Sequence, residues 1–148
     1  MDRINILKKI YLIELGAIKE MSRKKEKELL DDNRTDEANF EKIKVNIIEI
    51  FTTLFHAEER KLNKTEHADE TEHADRNEQA DKDRYEYDLF CRNYLLTFDR
   101  IPAAWKKKLE YADMHALVEE KAVEEIKLET AGMIKELFIK NMKGADIL

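Results

Sequence analysis

Residues 40–55, FEKIKVNIIEIFTTLF, decide the fold of this chain. Wound as an α-helix, the segment gathers its large apolar side chains into one arc of roughly 160°. Val45 strays from that arc, and Glu41 and His56 lie outside it. The arc holds Phe40, Ile43, Ile47, Ile48, Ile50, Phe51, Leu54 and Phe55. This pattern predicts a core helix on the outside of a helical bundle, with His56 turned to solvent.

The composition favours helices along the whole chain. The 148 residues include only three glycines and one proline, and 41% are charged. Few glycines disfavour turn-rich β folds and glycine-rich phosphate loops. Leu, Ile, Glu, Lys and Ala dominate instead, and these residues favour long helices. We therefore predict one all-α domain, a helical bundle spanning residues 1–148.

Charge and cysteine content bear on partners and location. A net charge of −6 argues against broad contact with nucleic acid, so we expect no nucleic-acid partner. The single cysteine, Cys91, allows no internal disulfide and is typical of a reducing compartment. No stretch approaches the ~18 apolar residues of a membrane span, and lysines interrupt the apolar residues near the N-terminus. We expect a cytoplasmic protein without a transmembrane segment.

Apolar periodicity predicts four main helices and one short one, mostly antiparallel. They are placed at about residues 3–31, 36–62, 85–101 and 113–142, with the short helix at about 102–112. Asn33 or Thr35 is the candidate N-cap of the second helix, and a tight turn there would fold that helix back on the first. Pro102 suits the first position of the short helix.

Two of these helices carry further expectations. In the first, apolar residues cover an arc of about 180°, which is wide enough to touch more than one neighbour. The polar stretch Ser22–Glu28 then predicts that this helix runs past the core into solvent. In the third, Cys91 shares an apolar arc with Tyr87, Phe90, Tyr94, Leu95, Phe98 and Ile101. A small core residue, rather than a reactive thiol, is the interpretation that this position favours.

An acidic repeat separates the two halves of the chain. Residues 65–82 read TEHADE, TEHADR and NEQADK, and residues 63–84 hold eight acidic and four basic residues, a net charge of −4. A six-residue period cannot keep one face on a helix of 3.6 residues per turn. We predict a low-complexity insert at about 63–84 that buries no core. The sequence leaves open whether this insert is ordered.

The last helix and the short helix supply the candidate partner contacts. The last helix has apolar residues on two opposite sides, which is typical of a helix that is central in its bundle or faces a partner. Trp105, in the short helix, is followed by Lys106–Lys108, so it either closes one end of the bundle or contacts a partner. The candidate partner contacts are Trp105, Leu128, Phe138 and Met142.

Catalytic and metal chemistry find little support in the sequence. There is no Gly-x-Ser-x-Gly motif, and the three glycines are far apart. Glu70 and His73 have the spacing of half a di-iron ligand set, but the other half is missing. His67 and His73 leave open a loose divalent-metal site. We assign no catalytic, cofactor-binding or metal-ligating residue and expect no cofactor and no enzyme activity.

Three functions fit these observations. The favoured one is a protein–protein interaction or structural module, expected to form a homodimer. The alternative is a metal- or small-ligand-binding helical bundle. A further alternative is a regulator that contacts nucleic acid or a membrane through a small basic patch, formed by Lys106–Lys108 and the basic residues of 22–27.

Overall fold

The computed structural model describes residues 2–66 and 76–147 of the chain, and apart from short turns these residues are helical. The helices are α1 (Arg3–Asp31), α2 (Thr35–Glu66), α3 (Arg76–Arg100), α4 (Ala103–Met114) and α5 (Val118–Ile147). The four long helices form a bundle, and the short α4 packs against α5. The predicted all-α bundle of four main helices and one short helix is confirmed.

Ion pairs between helices show the antiparallel arrangement. Lys8 of α1 pairs with Glu59 of α2 at 3.0 Å, whereas Arg23, further along α1, pairs with Glu49, earlier in α2, at 3.1 Å. The α1–α5 contact also runs antiparallel, because the start of α1 lies beside the end of α5. There the side chain of Asp146 is 3.8 Å from that of Arg3.

Aromatic rings fill the centre of the bundle. Tyr94 of α3 is fully buried and lies between rings from the other three long helices, with ring centroids 5.9 Å from Tyr11, 5.4 Å from Phe55 and 4.6 Å from Phe138. Its hydroxyl is 2.6 Å from the Tyr11 hydroxyl and donates to the backbone carbonyl of Phe51 at 2.9 Å. The buried polar atoms at the centre therefore satisfy one another.

The buried side of α2 differs from the predicted arc. Ile47, Ile48, Phe51 and Phe55 are buried as predicted. However, Val45 is buried, Ile50 is 37% exposed and Glu41 is buried, where Lys44 donates to its carboxylate at 3.0 Å. The reason is that α2 packs against α1, α3 and α5, which turns its buried side toward Val45. α2 still keeps an exposed side, with Asn46, Glu49 and Thr53, so the difference concerns which residues face the core.

The observed helix boundaries also differ from the predicted ones. Turn geometry and tertiary contacts set where a helix ends, and local sequence signals do not report them. Asn33 has φ 58° and ends α1 in a left-handed turn, in which the Arg34 amide donates to the Leu29 carbonyl at 2.8 Å. It therefore lies just after the C-cap of α1 and is not the N-cap of α2. Ala116, with φ 55°, makes the same type of turn between α4 and α5.

The last helix starts later and ends later than predicted. His115 belongs to the end of α4, and α5 starts at Val118. At its other end α5 continues through Gly144, which does not have a positive φ. Ala145 is fully buried in the core, and Arg84 donates to Asp146 at 2.6 Å. These contacts hold the last turn helical beyond the predicted end at Met142.

Both ends of the predicted acidic insert, 63–84, are helical. Residues 63–66 belong to α2 and residues 76–84 to α3. Asp83 accepts a hydrogen bond from Arg3 at 3.1 Å, so this part of the segment is attached to the bundle through its charged side chains. The remaining residues, 67–75, lie outside the described residues, and with them His67, Glu70 and His73.

Candidate functional surfaces

The predicted partner contacts occupy different environments. Phe138 is 0% exposed and lies among the central rings, so its side chain is a core residue and not a surface contact. That part of the prediction was wrong, since α5 is apolar on two sides because it packs against α1, α2, α3 and α4. Leu128 is half-buried. Met142 is half-buried against the core, and its carbonyl accepts from the Tyr87 hydroxyl at 2.5 Å.

Trp105 packs against the core of the bundle. Its side chain is half-buried against the core, and the ammonium nitrogen of Lys127 lies 6.0 Å from its ring centroid. The three residues Lys106–Lys108 are exposed. This placement matches the structural interpretation of Trp105. A role of Trp105, Leu128 or Met142 in binding a partner stays a prediction.

The sequence predicted that α1 runs past the bundle at residues 22–27, but α2 packs beside this stretch, although its basic side chains are exposed. Ser22 is buried, because α2 folds back along this part of α1. Arg23 pairs with Glu49 at 3.1 Å, and the Lys25 ammonium lies 3.6 Å from Glu41. Much of this basic charge is therefore offset by carboxylates of α2.

Cys91 is buried in the core. Burial raises the pKa of the Cys91 thiol to about 12, despite a hydrogen bond with Tyr87 that acts in the opposite direction. The prediction that Cys91 is a small core residue is confirmed.

His56 is half-exposed beside Glu59, and the His115 ring stacks on Tyr111. Among the described residues, no group of three or more His, Cys, Asp or Glu is placed to hold a metal ion.

An apolar stripe lies on the outer face of α1. Ile13 is 70% exposed, Met21 is 71% exposed and Ile10 is 40% exposed. Together with the exposed Ala17, these residues recur at spacings of three and four, so they line one side of the helix. We call Ile10, Ile13, Ala17 and Met21 the α1 stripe. The opposite side of α1, with Leu7, Tyr11 and Leu15, faces the core.

The sequence contained a signal for the α1 stripe. Its apolar arc of about 180° is wider than the ≳ 100° stripe that a surface helix usually turns to a core. This arc predicted contact with more than one neighbour, and α1 does pack against α2, α3 and α5. Ile10, Ile13 and Met21 nevertheless stay exposed, and none of them was among the predicted partner contacts.

A groove between α3 and α5 is the second surface feature. It is open to solvent and has a volume of about 490 Å³. Leu95, Leu96, Ile139, Met142 and the edge of Cys91 give it an apolar floor. Charged residues of both helices stand around this floor: Asp88, Arg92, Asp99, Lys135, Lys143 and Asp146. Met142 is the one predicted contact residue that lines the groove.

Comparison with models of known protein families, with curated proteins and with solved structures finds no match for the chain. Among the described residues, every helix is too short or too polar to cross a membrane. The function proposed below therefore rests on the surfaces of the molecule itself.

Proposed function

We propose that this chain is a non-enzymatic interaction module that binds a protein partner through the α1 stripe, with a second copy of the chain as the first partner to test. The observation that carries this proposal is the exposure of Ile10, Ile13 and Met21 along one helix face. Scattered exposed apolar residues are normal, whereas an aligned set is typical of an interface. The cytoplasmic location expected from the single cysteine belongs to the same proposal.

The energetic argument concerns the two most exposed side chains. Fully burying an Ile or Met side chain contributes about 1.5–3 kcal/mol, so covering the exposed parts of Ile13 and Met21 would contribute roughly 1–2 kcal/mol each. Polar residues flank the stripe, including Glu20 and Lys24, which are exposed. An apolar centre with a polar rim is the ordinary anatomy of a protein interface. On its other sides α1 packs against α2, α3 and α5, so the stripe lies on a helix that the bundle holds in place.

Sedimentation velocity over a series of concentrations tests self-association. We expect the wild-type chain to shift from monomer to dimer as concentration rises, and the variant Ile13→Asp/Met21→Asp to stay monomeric. Tyr85→Asp is the matched control, because Tyr85 is similarly exposed but lies on α3. A wild-type chain that is monomeric throughout, or a control that behaves like the stripe variant, would contradict self-association through α1.

A second experiment separates self-association from binding to another protein. A photo-crosslinking amino acid in place of Ile13 should give a discrete adduct in cells that produce the protein, and one in place of the exposed Thr53 on α2 should not. An adduct containing two copies supports the homodimer, and an adduct with a different protein supports a heteromeric module. If position 13 gives no adduct, the interaction function itself is refuted.

A further inference from the structure

The α3–α5 groove lies apart from the α1 stripe and has the dimensions of a small-ligand site. Its volume of about 490 Å³ falls within the ~300–1,000 Å³ range that such sites occupy. Its residues on α3 run from Tyr87 to Asp99, three turns and ~18 Å of helix. The groove is therefore long enough for an extended apolar chain.

The charges around the groove do not cancel equally. Asp88 and Asp146 are both paired with Arg84, at 3.4 Å and 2.6 Å, and Arg84 is not a groove residue. In contrast, none of the described residues forms an ion pair with Arg92 or Lys143. Asp88 and Asp146 thus share Arg84 as a partner outside the groove, while Arg92 and Lys143 have no carboxylate partner among the described residues.

The remaining charges lie toward the other end of the groove. The α3–α5 contact is antiparallel, since Arg84 meets Asp146 and Tyr87 meets Met142. Lys143 therefore lies at the Tyr87 end of the groove, whereas Asp99 lies at the opposite end. The Tyr87 end therefore holds Lys143 together with Asp88 and Asp146, and Arg92 lies between this end and the middle of the groove. Asp99 and Lys135 lie toward the other end.

We propose that the α3–α5 groove binds an amphiphile with one apolar chain and one anionic headgroup, of the class of fatty acids. The chain lies on the floor formed by Leu95, Leu96 and Ile139, where burial removes apolar surface of both ligand and protein from water. The headgroup lies between Arg92 and Lys143, whose charges strengthen hydrogen bonds to a carboxylate. An uncharged amphiphile forms no ion pair with Arg92 or Lys143, and a cationic amphiphile is repelled by both.

Isothermal titration calorimetry of the full, delipidated chain with three dodecyl ligands tests this assignment. Dodecanoate should bind saturably with one ligand per chain, below its micelle concentration. Dodecanol should bind at least tenfold more weakly, and dodecyltrimethylammonium should not bind. No saturable binding of dodecanoate, or equal binding of dodecanol, overturns the proposal.

Charge variants locate the headgroup. Arg92→Glu/Lys143→Glu should weaken dodecanoate binding at least tenfold. The control Lys24→Glu/Lys106→Glu changes the net charge equally at exposed positions on α1 and α4, and it should bind as the wild type does. An equal loss of dodecanoate affinity in both variants would show that net charge, and not the position of Arg92 and Lys143, controls binding. That result would overturn the proposed site.

A variant of the apolar floor tests where the apolar chain of the ligand lies. Leu96 is 56% exposed, so Leu96→Gln tests the floor without opening the core, and it should weaken binding several-fold. Unchanged affinity in this variant contradicts a chain on the floor. The proposal does not depend on self-association. Ile13→Asp/Met21→Asp should therefore leave the dodecanoate affinity unchanged.

Discussion

Replacing Tyr94 with phenylalanine tests how the bundle accommodates polar atoms at its centre. The Tyr94 hydroxyl donates its only proton to the Phe51 carbonyl at 2.9 Å. The Tyr11 hydroxyl, 2.6 Å away, must therefore be the donor between the two tyrosines. Tyr94→Phe removes both bonds and leaves the Tyr11 hydroxyl buried without its acceptor. Tyr11→Phe removes only one bond, and Tyr94 keeps its carbonyl partner.

The two variants should therefore differ in free energy of unfolding. Losing one neutral hydrogen bond costs about 0.5–1.5 kcal/mol, so we expect about 1 kcal/mol for Tyr11→Phe. Leaving a buried donor unpaired costs about 1–3 kcal/mol, so Tyr94→Phe should cost about 2–3 kcal/mol. In the double variant the unpaired donor is gone. Its cost should consequently fall below the sum of the single costs by about 1 kcal/mol or more.

Urea unfolding followed by far-ultraviolet circular dichroism measures all three variants against the wild type. The slope with urea should stay constant, so that differences in midpoint report stability. Additive effects within about 0.5 kcal/mol would refute the inferred hydrogen-bond chain. A larger cost for Tyr11→Phe than for Tyr94→Phe would refute the inferred donor direction.

Three further outcomes are expected. Burial raises the pKa of Tyr11 and Tyr94 above that of an unfolded tyrosine, so stability should hold below about pH 10 and fall above it. Urea midpoints measured across alkaline pH will show this fall. The variant Tyr11→Phe/Tyr94→Phe should lose less stability over the same pH range. Gly132→Ala should raise stability by about 0.5–1 kcal/mol, because an added Cβ meets nothing within 4 Å; a loss would disprove this. Ala116→Gly should raise the thermal midpoint, since φ 55° strains alanine; a lowered midpoint would count against that strain.

The third helix shows where sequence pattern and structure agree. Tyr87, Phe90, Tyr94 and Phe98 were predicted on one arc, and all four are buried. Their segment has one narrow apolar side, so only one orientation removes these rings from water. The second helix has a broader apolar surface, and the pattern placed Ile50 inside and Val45 outside, the reverse of what is observed.

The helix ends show why local signals were insufficient. Gly144 predicted the end of α5, yet the buried Ala145 and the pair between Asp146 and Arg84 extend the helix. Asn33 carried the residue type of an N-cap, but the same side-chain chemistry also tolerates the left-handed turn that ends α1. Which role a residue takes depends on contacts that are distant in sequence.

The amino-acid sequence by itself determined the helical class, the number of helices and the rings of the third helix, because periodicity and glycine scarcity act locally. Only the tertiary structure decided which apolar residues stay outside. Phe138 and Ile13 are both large apolar residues on helices with broad apolar surfaces, yet Phe138 is 0% exposed and Ile13 is 70% exposed. The difference arises because α5 packs against four helices, whereas the outer face of α1 has no neighbour among the described residues.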